Sequence, residues 1–434
     1  MPLWYDWFIT DMKIALAFYY ARSNRFSINA LAGALEMRPG LRALDLSFPT
    51  EPAELHRGIR AAARSHDRVV VGLSFATPQY AAMRGMISDL RSRYPDIAIL
   101  AGGPHPTADP ASCLRAGCDL AVCGEGEETL AAVLGEMQSG GRARGLPGTA
   151  YLDAAGRCLR MRARSSIDLD AYPPFAIRNG KYGPIEITRG CPYGCGFCQT
   201  SKLFGRRPRH RKPEVVAHYA AQMVRIGMFD LRVVSPDAFA YGSRDGREVD
   251  LAAVRELLAR VREAQGPGGR LFFGSMPSEV RPEHVSAQAL RLVREYAAND
   301  NLTIGAQSGS QRILDACGRG HSVADITRAA ALALKAGFKA NLDFIFGLPG
   351  ETEADLARTL ALMQRLALMG ARIHAHGFMP LPQTRFAGRT PTRLPERMRK
   401  ALDHMSAAGV LFGQWRTQQG HAARMAGPAG KESI

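Results

Sequence analysis

Short apolar runs alternate with helical patterns twice along this chain, and that alternation restricts the fold more than any other feature. In the first block "KIALAFYY" (13–20), "RALDLSF" (42–48), "RVVVGLSF" (68–75), "IAILAGGP" (97–104) and "DLAVCGEGE" (119–127) read as strands. Helical periodicity fills the intervals at 28–37, 51–65, 79–94 and near 108–116. The run at 68–75 is apolar on consecutive residues, as a strand covered on both faces requires. Five β-α units predict an α/β domain with a doubly wound parallel sheet over 1–140.

Residues 141–182 are rich in Gly and Pro ("GRARGLPG", "AYPPF") around one hairpin at 149–163, and read as a linker. The alternation then resumes over 183–385. "PIEITRG" (184–190), "DLRVVSP" (230–236), "RLFFGSM" (270–276), "LTIGAQSG" (302–309), "KANLDFIFG" (339–347) and "ARIHAHGF" (371–378) are its strands, with helices at 213–227 and 248–265 among the intervals. Six strands in about 200 residues suit a partial (β/α)6 barrel of the TIM type better than a complete eightfold one. Residues 386–434 form a basic extension with one amphipathic helix at about 394–410 and a frayed end, "AGPAGKESI".

With 434 residues, 46% hydrophobic and 22% charged, the chain can bury more than one core, which excludes whole-chain disorder. Lys+Arg 56 against Asp+Glu 40 leaves a formal +16. That permits an anionic partner, although a solvated arginine-rich surface is the plainer account. The densest basic run, "GRRPRHRKP" (205–213), follows directly on a cysteine-rich stretch and can serve it. No run approaches the ~18–20 apolar residues that span a membrane. Asp6 and Asp11, rather than a positive segment, flank "MKIALAFYY", so no secretory signal is expected. Eight cysteines without regular pairing do not describe a disulfide scaffold, and a reducing cytoplasm is the expected compartment.

Three of those cysteines, Cys191, Cys195 and Cys198, fall within "EITRGCPYGCGFCQTSKLFG" (186–205). This is the loop after the first strand of the second block, at the ligand-binding end of a barrel. Pro192, Gly194 and Gly196 let the chain fold tightly around a compact ligand. Three thiolates suit a four-iron cluster with one iron left open. The alternative is a zinc site completed by a histidine such as His210, but the spacing matches no zinc pattern. Cys113, Cys118 and Cys123 are scattered over a helix, a turn and a strand, and are expected as buried small hydrophobes. Cys317 reads as a substrate-facing thiol or a buried helix cysteine. His374 and His376 share one face of a strand and read as acid–base groups or as packing.

In doubly wound sheets ligands sit beyond the carboxyl ends of the strands. Those ends read "SFATPQY", "GGPHPT" and "GEGEE". Gly102 and Gly103 allow close backbone approach, Ser74 and Thr77 offer hydroxyls, and His105, Glu125 and Gly126 complete the candidate edge.

Cys-x-x-x-Cys-x-x-Cys, with the aromatic Phe197 before the last cysteine, resembles the signature of the radical S-adenosylmethionine superfamily, and the resemblance spans about 183–382. "LSFATPQY", "ILAGGPHPTADP" and "DLAVCGEGEETL" resemble the Rossmann-like cobalamin-binding domain that precedes the barrel in the class B, cobalamin-dependent members. The resemblance implies a [4Fe–4S] cluster on Cys191, Cys195 and Cys198. Its open iron would take S-adenosylmethionine, to be cleaved to methionine and a 5′-deoxyadenosyl radical. The Asp-x-His-x-x-Gly motif of other cobalamin proteins is absent, which implies cobalamin without that histidine ligand. His105 would then contact the corrin or its nucleotide tail, or be a satisfied loop histidine.

"IGAQSGSQRILDACGRGHS" (304–322) resembles the segment that contacts the ribose and methionine ends of S-adenosylmethionine, through Gln307, Ser308 and Ser310. Arg319 would pair with the methionine carboxylate. "LDFIFGLPGETEADL" (342–356) resembles the adenine-lining segment, with Gly347 and Gly350 at the turn and Glu351 as a helix-start carboxylate. The superfamily's Gly-Gly-Glu is replaced by "SPDAFAYG" (235–242), which nominates Asp237. The class implies methylation of an unactivated carbon of a small molecule by way of methylcobalamin. Some members instead cyclise or rearrange their substrates. "QSGSQRIL" also resembles the tRNA methylthiotransferases, but those carry widely spaced N-terminal cysteines. An electron donor such as flavodoxin or ferredoxin is implied, and nucleic acid is not expected as a partner.

Overall fold

The computed structural model describes residues 12–41 and 44–426, so the expected frayed end lies outside the described residues. The chain divides into two units, Met1–Gly183 and Pro184–Ile434. In the first, the strands are β1 (Ile14–Phe18), β2 (Asp45–Ser47), β3 (Arg68–Ser74), β4 (Ala98–Gly102), β5 (Leu120–Val122), β6 (Thr149–Leu152) and β7 (Cys158–Arg160). They form one sheet in the order β2-β1-β3-β4-β5-β6-β7. The first five are parallel and the last two antiparallel. Strand order reverses between β1 and β3, which opens a crevice at their carboxyl ends.

Two apolar layers explain the unbroken hydrophobic runs. Leu16, Val70 and Leu100 point into one layer with Ile28, Leu35, Leu130 and Leu134. Val69, Val71, Leu73 and Ile99 point into the other with Leu55, Ile59, Ile87 and Leu90. Neighbouring residues of β3 thus serve opposite faces, and both faces are covered. Cys113, Cys118 and Cys123 lie in the second layer as expected.

Residues 141–182, expected as a linker, belong to this first unit. β6 adds to β5 and β7 adds to β6. Phe175 is fully buried, and a Cβ on Gly33 would lie 2.5 Å from its carbonyl oxygen. The backbone N–H groups of Arg178 and Asn179 donate to Glu36 at 3.0 and 2.9 Å. The glycines reflect turns rather than slack: Gly148 and Gly156 take φ of 82° and 74° around the hairpin.

In the second unit the strands are β8 (Ile185–Glu186), β9 (Thr188–Arg189), β10 (Arg209–His210), β11 (Asp230–Val234), β12 (Arg270–Phe272), β13 (Asn301–Gln307), β14 (Lys339–Phe346), β15 (Arg372–Gly377) and β16 (Leu411–Phe412). Two parallel arcs, β8-β11-β12 and β13-β14-β15-β16, are joined by a parallel bridge between Val280 and Ile304. Helices Pro213–Arg225, Leu251–Gln265, Ala287–Tyr296, Val323–Lys335 and Glu353–Leu368 connect them, giving the partial barrel. The helix expected at 394–410 is Glu396–Ala407. Beyond it, β16 pairs with β15 and helix Trp415–Ala426 sets Trp415 against Phe346, so the described part of 386–434 continues this unit. Two-residue β16 is too short for a periodicity signal. Among the described residues no helix is long and apolar enough to cross a membrane.

Candidate active site

The cysteine loop leaves β9 through Gly190, whose φ of 92° admits no ordinary side chain. The basic run folds back beside it, because β10 pairs antiparallel with β9. Cys191 N–H donates to the Gly205 carbonyl at 3.1 Å. At its far end Gly196 N–H donates to the Cys317 carbonyl at 2.8 Å and Phe386 N–H to the Gly196 carbonyl at 2.9 Å. A Cβ on Gly196 would lie 2.7 Å from the Phe386 ring, so this glycine is required by close packing. Thr200 donates to the Cys198 sulfur through its backbone N–H at 3.5 Å, and its hydroxyl lies 3.3 Å from that sulfur. His210, the alternative fourth ligand, is engaged with Thr188 Oγ1 at 3.0 Å and the Ser243 carbonyl at 2.9 Å.

All three thiols line one cavity of ≈ 240 Å³, together with Tyr193, Glu279, Arg281, Arg319 and Asp343. Burial pushes the Cys191 thiol up to about 11 and raises Cys198 as well. Arg319 points Nη1 at the Cys195 sulfur, 3.7 Å away, and donates from Nη2 to the Gly305 carbonyl at 2.8 Å. Burial opposes its charge, but Cys195 and Glu279 outweigh that and hold its pKa above the ordinary value. Glu279 is lifted to about 7 by burial, with Arg319 pulling it back down. A Cβ on Gly305 would lie 2.8 Å from Arg319, 2.9 Å from Gln307 and 3.3 Å from Glu279, so the three side chains converge over a glycine. Gln307 itself sits at φ 69° beside a bulge in β13. Arg281 lies 3.4 Å above the Tyr193 ring and its Nε donates to Glu283 at 2.6 Å.

Glu279 is not among the residues expected from sequence. Its only signal there is a carboxylate beyond the carboxyl end of a barrel strand, in "GSMPSEV". Asp237, nominated from "SPDAFAYG", is engaged within the fold: its Oδ2 pairs with His284 Nδ1 at 2.5 Å and its Oδ1 accepts from Arg281 N–H at 3.4 Å. The neighbouring Ser235 and Pro236 line the cavity instead.

Ser308 and Ser310 are likewise engaged within the fold. Ser310 Oγ donates to Asp355 at 2.6 Å, and Ser308 Oγ lies 3.3 Å from Thr359 Oγ1. Both hydroxyls tie the turn after β13 to helix Glu353–Leu368, and the two residues are 0–1% exposed. Ser310→Ala is expected to cost about 1–3 kcal/mol of stability by stripping a partner from buried Asp355. Chemical denaturation should register that loss while the affinity for S-adenosylmethionine stays unchanged. Gly347, at φ 82°, and Leu348 each donate a backbone N–H to Glu351 Oε2 at 2.9 Å. Burial lifts the Glu351 carboxyl to about 8, and its Oε1 is buried without a partner. The helix is capped by Thr352 and Asp355 rather than by Glu351. Phe197 packs beside Ile313, Leu348, Phe378 and Cys317, which resolves Cys317 as a buried helix cysteine.

At the edge of the first unit, Ser74 Oγ lies 3.0 Å from Ser27 Oγ. Glu125 accepts from Ile167 N–H at 2.9 Å, and a Cβ on Gly126 would strike Leu31 at 2.8 Å. His105 is 3% exposed, bonded by its two nitrogens to Thr77 (3.2 Å) and Ser112 (3.1 Å), and stacked on Tyr80 at 4.2 Å. It is a satisfied histidine inside the domain, with Thr77 as its partner. Gly102 and Gly103 remain at the edge: a Cβ on Gly102 would make only ordinary contacts, and Gly103 takes φ 95°. A Cβ on Gly124, just beyond β5, would meet nothing within 4 Å.

Burial pulls His105 down from 6.5 to about 4, so the unfolded chain takes up a proton that the folded domain refuses. The contribution is full above about pH 6.5 and is lost as pH falls toward 4, by about 3 kcal/mol. Thermal unfolding of the whole chain should show this decline, and His105→Gln should flatten it.

Residues 12–134 match the family model described as the B12 binding domain, and residues 185–363 match that of the radical SAM superfamily. The chain is a radical SAM protein with a B12-binding domain. An uncharacterized protein of Methanopyrus kandleri is 28% identical over 76% of this chain and 69% of its own length. The tRNA-2-methylthio-N(6)-dimethylallyladenosine synthase of Geobacter sulfurreducens is 26% identical over 55% of this chain, which spans about half of that enzyme (51%). In fold, the chain is similar to the radical S-adenosylmethionine methyltransferase TsrM of Kitasatospora setae, solved with cobalamin and a [4Fe–4S] cluster (TM-score 0.67, 16% identity, 87% of this chain and 77% of that one). It is likewise similar to the cobalamin-dependent enzyme OxsB (TM-score 0.66, 14% identity, 93% and 58%).

A radical SAM enzyme of this build works with a [4Fe–4S] cluster, S-adenosylmethionine and cobalamin. The donor sets present fit those groups. Three thiols share one cavity wall, with the Arg319 guanidinium facing one sulfur and the Thr200 N–H another. The edge of the first unit offers open backbone at Gly102 and Gly124, while its histidine is turned inward, which fits a corrin held without an imidazole from His105.

Proposed function

We propose that this radical SAM enzyme methylates an unactivated carbon of a small molecule. The observation that carries the reading is the cavity in which three thiols meet Glu279 and Arg319, in a chain that also has a B12-binding domain. Cys191, Cys195 and Cys198 would hold the cluster, and Gly102, Gly103 and Gly124 would lie against cobalamin. When bound, the cluster supplies the electron that cleaves S-adenosylmethionine, and cobalamin supplies the methyl group. Arg319 keeps a fixed positive charge beside the thiolates and orients a carboxylate by its planar fork. Glu279 accepts the amino group of the methionine end, which a neighbouring cation would draw toward the ionised form of the carboxyl. Phe197 and Leu348 exclude water from an apolar wall beside the loop. A reducing cytoplasm with flavodoxin or ferredoxin as reductant completes the reading.

The methylthiotransferase alternative calls for widely spaced N-terminal cysteines, whereas Cys113, Cys118 and Cys123 fall within eleven residues and pack into one apolar layer. The test is anaerobic turnover of the reconstituted chain with S-adenosylmethionine carrying a deuterated methyl group and a pool of candidate small molecules. The expected result is a product carrying the labelled methyl on carbon, with S-adenosylhomocysteine and 5′-deoxyadenosine both accumulating. Release of 5′-deoxyadenosine with an unlabelled, oxidised product would overturn methylation in favour of cyclisation or rearrangement.

A further inference from the structure

β14 and β15 carry a second set of ligating side chains that the methylation reading does not use. Asp343 and His374 are register partners on the paired strands, and His376 stands two residues further on the same face. His374 Nδ1 lies 3.0 Å from Asp343 Oδ1. His376 Nε2 lies 3.2 Å from that same Nδ1 and 3.8 Å from Asp343 Oδ2.

Hydrogen bonds to Asp343 are open to both imidazoles, but they leave the 3.2 Å contact between the two ring nitrogens poorly served. A neutral imidazole carries a proton on one ring nitrogen and a lone pair on the other. If His374 Nδ1 carries the hydrogen, it donates to Asp343 and cannot also accept from His376. If it carries the lone pair, it faces the carboxylate with no hydrogen between them. One cation between the two nitrogens and the carboxylate serves all three groups at once. Donors bound to a common ion at about 2.0–2.1 Å lie about 3.0 Å apart in octahedral and about 3.4 Å apart in tetrahedral geometry. The two nitrogens lie 3.2 Å apart, His374 Nδ1 lies 3.0 Å from Asp343 Oδ1 and His376 Nε2 lies 3.8 Å from Asp343 Oδ2, so the carboxylate faces the nitrogens with both oxygens at spacings from the octahedral value to somewhat above the tetrahedral one. Two imidazoles and one carboxylate on a single face also form the donor set of a divalent transition metal with open positions.

The surroundings hold the rings in place. His374 stacks on Phe412 with centroids 4.6 Å apart and planes 7° from parallel. A Cβ on Gly413 would lie 3.0 Å from the His374 ring, so that glycine leaves the ring its room. Asp343 also lines the cavity that contains the three thiols.

We propose that Asp343, His374 and His376 bind one divalent transition-metal ion, of the zinc type, separate from the iron–sulfur cluster. Its open positions take an oxygen or nitrogen donor of the substrate at the margin of the cavity. The site would serve any radical chemistry in the barrel, so it stands or falls separately from methylation.

The experiment uses the full chain with its cluster reconstituted, equilibrated anaerobically with zinc chloride and passed through a desalting column. Zinc and iron are counted together by mass spectrometry, and the zinc X-ray absorption edge is recorded. The expected result is about one retained zinc per chain, with nitrogen and oxygen neighbours only. His376→Gln, at a half-buried position, and Asp343→Asn should each lower zinc retention at least tenfold with iron unchanged. Equal zinc in the variants, no retained zinc in the parent protein, or sulfur neighbours at the zinc edge would each overturn the proposal.

Discussion

Cys195→Ala is expected to lower the iron of the anaerobically reconstituted chain from about four per molecule to less than about one. The release of 5′-deoxyadenosine should fall at least a thousandfold with it. Cys195 is the buried member of the three, and its sulfur is the one that faces Arg319. Two thiols cannot replace three, and His210 is engaged on its two nitrogens and brings no substitute. The change removes one sulfur from a loop whose ends are pinned by backbone hydrogen bonds to Gly205, Cys317 and Phe386. Circular dichroism should therefore match the parent protein, which separates loss of the cluster from loss of the fold. The same substitution at Cys123, in the apolar layer of the first unit, should leave iron unchanged. Iron near four with intact cleavage in Cys195→Ala would remove the basis of the site.

Arg319→Met carries the second large effect. Arg319 is buried with Nη1 facing the Cys195 sulfur, and its positive charge is the largest pull that lowers the Glu279 carboxyl against burial, with Arg281 adding to it. Burial lifts Glu279 to about 7 with Arg319 present, so removing Arg319 moves the carboxyl further up, toward its protonated form. The cavity then loses the guanidinium that faces the Cys195 sulfur, and Arg281, stacked on Tyr193, is its remaining arginine. Cleavage of S-adenosylmethionine is expected to fall at least a hundredfold, measured under saturating reductant. Glu279→Gln keeps Arg319 and should raise the KM for S-adenosylmethionine more than it lowers kcat. If both variants cleave at the parent rate, neither residue takes part.

The architecture is readable from sequence because burial on two faces leaves a mark in a linear chain. "RVVVGLSF" announces β3 by having no polar alternation, and its neighbours pack to opposite sides as that pattern requires. The cysteine loop is readable because its chemistry is local. Side chains whose partners are distant in sequence are not. Ser310 looks like a ligand-facing hydroxyl until Asp355, 45 residues on, is seen to accept from it. Asp237 looks available until His284, 47 residues on, claims it. Glu279 has no motif around it, and only the convergence with Arg319 and Gln307 over Gly305 marks it out. The stretch 141–182 misleads because composition registers glycine at turns but not the strand pairing on either side of them.

The backing of the cysteine loop also sets a timetable. Gln199, next to the last thiol, donates to the Pro382 carbonyl across 183 residues at 2.9 Å, close to where Phe386 meets Gly196. A ribosome adding about 5–20 residues per second needs about 10–40 s to cover that stretch. Through that interval the three thiols are already made, but the segment that closes behind them is not. Metal delivered early meets an unbacked loop that any thiol-seeking ion can enter, so iron and sulfur are best loaded once the segment at 382–386 stands behind the thiols.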